Sequence, residues 1–145
     1  MTQRDPLLGA HFSVDIDGIT AAFFKECSGF SNSSEVITHQ AVDKDGRSVI
    51  HKLPGDLTWD PLVLRRGITD DSTLWDWRQK VVDGKIEEAR VNGAIVMYNA
   101  ANEETARWTF VNAWPSAWKG PDVSSEDQTV AIEEITIAHE GLKRE

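Results

Sequence analysis

The stretch Leu62–Arg78, LVLRRGITDDSTLWDWR, constrains the fold most, because here a chain that mostly alternates like a sheet changes to helical spacing. Val63 and Leu64 lie in a short extended run that stops at Gly67. Asp70, Asp71 and Ser72 then offer side-chain oxygens to the unpaired N–H groups of a helix start, where negative charge is also favoured. Leu74, Trp77 and Val81, with Trp75 and Val82 one turn round, form an apolar stripe, and Gly84 supplies the left-handed residue that closes many helices. The spacing predicts one helix over about residues 71–83. Three turns are marginal alone, so its indoles require a large apolar partner.

Most of the remaining chain reads as strands. Phe12, Val14 and Ile16 alternate with Ser13 and Asp15, Asp17-Gly18 is a strong hairpin turn, and Ile19–Glu26 is the return strand, broken at Ser28-Gly29. Glu35–Val42 and Ser48–Lys52 are extended about a Lys44-Asp45-Gly46 turn, and Pro54-Gly55-Asp56 marks a second break. Residues 43–56 read as a polar, protruding excursion, which fits equally a solvated loop or a hairpin reaching a neighbouring subunit. Leu57–Arg66 is a strand whose Pro61 belongs at an edge or bulge. Glu88–Tyr98, with a bulge site at Gly93, and Thr105–Trp114 follow. In the last strand, Gln128–His139, the apolar parity switches at Glu133-Glu134, which predicts a bulge or bend there. The fold class is therefore mainly β with one α-helix. Residues 1–10 read as a polar arm.

At 145 residues the chain has the size of one domain. Its formal charge of -9, from 15 Lys and Arg against 24 Asp and Glu, opposes nonspecific binding to nucleic acid or anionic membrane. Cys27 is alone, and the N-terminus lacks the apolar core of a signal peptide, so synthesis in the cytoplasm is expected. Catalytic chemistry is not legible. Glu133 and Glu134 are adjacent and face opposite sides of a regular strand; His11, His39, His51 and His139 lack zinc-site spacing; Cys27 has no partner to activate its thiol. The glycines punctuate separate turns instead of forming a phosphate loop. The six tryptophans read as core and subunit contacts, since base stacking normally accompanies positive charge. No catalytic residue, metal site or cofactor is expected.

The blocks LVLRRGITDDSTLWDWR, ARWTFVNAWPSAWKGPD and VAIEEITIAHEGL, with the hairpin FSVDIDGITAAFFKECSGF, together resemble the tail tube proteins of contractile phages and phage-tail-like contractile injection systems. That resemblance implies a structural protein: a small antiparallel β-barrel or two-sheet sandwich flanked by a helix, six copies to a ring, and rings stacked into a tube. It implies as partners further copies of itself, a sheath, a baseplate hub or tube initiator and a cap or terminator, with effector proteins or phage DNA as cargo and no direct membrane anchoring. The particle would assemble from subunits made in the bacterial cytoplasm. By position, Asp43, Lys44, Asp45, Arg47, His51 and Lys52 match the family's extended loop toward the adjoining ring, while Arg66, Asp70, Asp71, Trp75 and Trp77 lie where the helix meets neighbouring subunits. Asp15, Asp17, Glu88 and Glu133 are candidates for an acidic channel lining that repels DNA or acidic cargo. The related hexameric ring of type VI secretion systems, and a monomeric small-ligand β-barrel, are the alternative readings.

Overall fold

The structure is a computed structural model that describes residues 11–16, 19–68, 70–121 and 131–145, the side chains of 19–21 excepted. In chain order its elements are β1 (His11–Ile16), β2 (Ile19–Phe24), β3 (Glu26–Ser28), β4 (Asn32–Val42), β5 (Ser48–Trp59), β6 (Leu62–Gly67), α1 (Thr73–Val82), α2 (Ile86–Ala89), β7 (Val91–Tyr98), β8 (Glu104–Lys119), β9 (Ile132–Ala138) and β10 (Leu142–Arg144). They fall into two compact units, Ser31–Asp60 and the remainder.

In the larger unit the strands run in the order β2-β1-β7-β8-β9-β6-β3, with β10 added to β8, and every pairing is antiparallel. The sixteen-residue β8 serves two layers: its first part pairs with β7 and β10, and Trp114–Lys119 pairs with β9. A positive φ of 50° at Asn112 and a register shift between Pro115 and Ala117 mark where it changes partners. Val14, Phe24, Ile95 and Phe110 from one layer meet Leu62, Leu64, Ile135 and Ile137 from the other, all fully or almost fully buried. The end strands β2 and β3 are separated in sequence by Lys25, whose N–H donates to Arg65 O at 3.1 Å, so the sheet curls back towards its start. No ladder links β2 to β6 among the described residues, and the result is an open two-layer sandwich, not a closed barrel.

Several sequence expectations change. The β1–β2 hairpin is present, though its Asp17-Gly18 turn lies outside the described residues, and the return strand is split into β2 and β3. Glu88 belongs to the one-turn helix α2 and not to a strand, so the described residues hold two helices where one was expected. Leu57–Arg66 is divided at Pro61, and Pro54-Gly55-Asp56 is no break but part of β5, accommodated by a register shift between Ser34 and Val36. Gly93 does mark a bulge; a Cβ there would stand 2.3 Å from Asp15 O and 2.7 Å from Phe110 Cζ, so only hydrogen fits.

The irregularity expected at Glu133-Glu134 is absent. Residues 62–67 of β6 pair with 137–132 of β9 in unbroken register. Glu133 takes the inward place in line with Ile135 and Ile137, while Ile132 turns outward. A carboxylate can hold that place because Arg66, directly opposite, donates from Nε to Glu133 Oε1 at 3.0 Å.

Helix α1 starts as its acids predict: Asp71 Oδ1 accepts from the Thr73 N–H at 3.1 Å and from the Thr73 hydroxyl. It ends in paired reverse bonds, Gly84 N–H to Val81 O and Lys85 N–H to Lys80 O, with Gly84 at φ +81°. Leu74 and Trp77 face the core, and Trp77 Nε1 donates to Ala89 O at 2.7 Å, tying α1 to α2. Trp75 and Val82 are exposed, so the buried stripe is narrower than the spacing suggested.

Candidate functional site

Group by group, the described residues hold little reactive chemistry. Burial pushes the Cys27 thiol up to about 12, which keeps it protonated and a poor nucleophile. No cluster of three or more His, Cys, Asp or Glu is positioned to hold a metal among the described residues. The features that call for a partner are surfaces.

The foremost is the unit Ser31–Asp60, an antiparallel β4–β5 ribbon whose side chains are almost all exposed. It is closed at one end by Asp43, whose Oδ1 accepts from the N–H groups of Asp45 (2.9 Å) and Arg47 (2.8 Å). At its other end Ser31 Oγ bonds to the Asp60 carboxylate, and the Asp60 N–H donates to Ser31 O at 3.1 Å. Strand alternation sends Val36, Val42 and Ile50 to one face and Ile37 and Leu53 to the other, all exposed. A two-stranded ribbon has no core of its own and is marginal in water, and one with apolar side chains on both faces is suited to cover on both sides. Lys44, Asp45 and Arg47 surround the turn, and His51 and Lys52 lie on β5 opposite His39 and Thr38.

On the larger unit, the candidates separate by burial. Arg66 is 7 % exposed and Glu133 4 %, so neither is available to a neighbour or a channel; besides Glu133, Arg66 reaches Asp71 Oδ2 at 3.2 Å and Asp71 O at 3.1 Å. Trp77, 6 % exposed, is a core residue. Trp75 is 47 % exposed and sets its ring edge-on to Trp118, with centroids 4.7 Å apart. Asp70 and Asp71 are exposed at the start of α1; the bonds from Thr73, then the Arg66 charge, hold the Asp71 carboxyl below the usual carboxylate range. Asp15 is half-buried and pairs with Arg107 Nη1 at 3.8 Å, Glu88 is exposed on α2, and Asp17 lies outside the described residues. The Arg107 guanidinium, bonded at 2.9 Å to Glu104, is held above its ordinary value.

The Arg66–Glu133 pair was missed, although each residue signals it. Arg66 continues the inward parity of Leu62 and Leu64, and Glu133 that of Ile135 and Ile137. Two opposite charges on the buried parity of two strands read better as one buried pair than as two irregularities.

A family model described as "T4-like virus tail tube protein gp19" matches residues 9–143. A search of curated proteins gave no match. Among solved structures, the chain resembles one in the sheath-tube complex of the extracellular contractile injection system PVC in its extended state, at TM-score 0.75 and 24 % identity over 98 % of this chain and 91 % of that one. It also resembles a chain of the anti-feeding prophage baseplate, at TM-score 0.73 and 21 % identity over 100 % and 97 % of the two chains. Hcp1 from Flavobacterium johnsoniae is more distant, at TM-score 0.56 and 14 % identity over 92 % and 94 %. At these identities the structural likenesses establish the fold.

Proposed function

Since the chain belongs to the T4-like virus tail tube protein family, we propose that it is the structural subunit of the hollow inner tube of a contractile injection particle, six copies to a ring and rings stacked into a conduit. The observation that carries this reading is the β4–β5 ribbon, apolar on both faces and lacking a core, which gains its cover when copies assemble. The sheath, baseplate and terminator are its partners outside the ring, since the similar solved chains come from sheath-tube, baseplate and terminator assemblies. Cargo, whether effector protein or DNA, passes through the tube. The subunit acts by shape, and catalysis is no part of its role. No helix among the described residues is long and apolar enough to cross a membrane.

The test is electron microscopy of the purified chain, alone and co-expressed with its sheath. Six-fold rings and tubes are expected. Deleting Asp45–Arg47 should leave a soluble, folded monomer without tubes; normal tubes from the deletion reject the ribbon's role, and a wild-type chain that stays monomeric at high concentration rejects the tube itself.

A further inference from the structure

We propose that His39 and His51 form a two-imidazole site for a borderline transition-metal ion such as Zn²⁺ or Ni²⁺, and that the ion clips β4 to β5. The two histidines are far apart in sequence, but the ladder sets them directly opposite. The Asp43 N–H donates to Arg47 O at 2.9 Å, and hydrogen-bonded positions alternate from there down the ribbon. Pairs 41/49, 39/51 and 37/53 are therefore the hydrogen-bonded ones, with Cα atoms about 5.5 Å apart and both side chains on one face. That spacing leaves two exposed imidazoles free to turn onto one ion at the usual Zn–N distance of about 2.0–2.1 Å.

The surroundings suit such a site. Its neighbours on the same face are Ile37 and Leu53 on one side and Ala41 and Val49 on the other, none of which carries charge. Lys52 lies opposite Thr38 on the reverse face, and the remaining charged groups of the unit sit towards its ends: Glu35 and Asp56 near the bulge, Asp60 beyond it, and Asp43, Lys44, Asp45 and Arg47 at the turn. Imidazole selects Zn²⁺, Ni²⁺ or Cu²⁺ over Mg²⁺ or Ca²⁺. No third His, Cys, Asp or Glu joins the pair among the described residues, so water or a group from a second copy completes the coordination and the ion exchanges readily.

The consequence is register. An ion bound to this pairing and not to the unfolded ribbon stabilises it by mass action. A slip of one residue would send one imidazole to the opposite face and break the chelate.

Isothermal titration of ZnCl₂ into the untagged, metal-free full chain at neutral pH tests the site. One ion per chain is expected, with the heat lost in His39→Gln and in His51→Gln and kept in the double variant His11→Gln/His139→Gln; far-ultraviolet circular dichroism confirms that each variant is folded. No saturable binding by the wild type, or binding unchanged in both ribbon variants, overturns the site. Hydrogen exchange provides the second readout: Zn²⁺ should slow the amides of β4 and β5 in the wild type and not in His51→Gln. Binding without slowed exchange overturns the clip.

Discussion

Arg66 and Glu133 face each other across β6 and β9 with almost no access to water, and the pair decides whether the inward parity of both strands holds. Removing one partner leaves a charge buried: Arg66→Met should cost about 3–5 kcal/mol in urea denaturation, whereas Arg66→Met/Glu133→Leu should recover most of that loss, because apolar groups of similar size often replace a buried pair at little cost. A double variant as unstable as the single one would show that the pair is not the cause. Asp71 is the second test at this scale. Its carboxyl is held below the ordinary value, first by the Thr73 hydroxyl and backbone N–H and then by Arg66, so its contribution is fully present above the unfolded carboxylate range near pH 4 and is lost as pH falls through the folded value. Asp71→Asn should therefore lower the melting temperature at pH 7, and the difference from wild type should shrink towards pH 2; a constant difference would refute it. The charges at these positions were plain in the sequence. Their pairing was not, because it joins residues 67 positions apart and follows only from the register of two strands.

Helix α1 carries two neighbouring indoles with different fates. Trp77 is bonded to Ala89 O and packed in the core, so Trp77→Ala should destabilise by about 3–5 kcal/mol. Trp75 is half in water and touches Trp118 edge-on, so Trp75→Ala should cost only about 0.5–1.5 kcal/mol while reducing ring or tube formation in sedimentation. Equal losses from the two would contradict this division. The helix was legible because its signals are local: acids before the first turn, apolar spacing and a closing glycine. The reach of the ribbon was not. Pro54-Gly55-Asp56 carries turn residues, yet the ladder continues through it as a bulge, and the excursion expected over 43–56 proved to be strands spanning most of 32–59. The pairing of His39 with His51 was not legible for the same reason, since metal-site spacing is sought along a chain and these two meet across a ladder.

At the scale of the whole molecule, the ribbon offers the apolar surface that a closed assembly would bury. Ile37→Lys/Leu53→Lys charges one face, and Val36→Lys/Ile50→Lys the other, without touching the buried residues of the larger unit. Each double variant should unfold at the wild-type temperature within a few degrees and fail to form tubes in electron micrographs. If only one face matters, only one pair will block assembly, and intact tubes from both would remove the ribbon from the interface. The open sandwich has one more consequence, in the order in which it is made. Besides their near neighbours β2 and β3, β1 and β6 pair with β7 and β9, far downstream, and β8, which serves both layers, is among the last strands synthesised. The ribbon, by contrast, is paired wholly within residues 31–60. At about 5–20 residues per second, translation of the remaining chain takes on the order of ten seconds. For that interval the nascent chain carries the ribbon's exposed apolar side chains while the body that it belongs to still lacks β7 to β10.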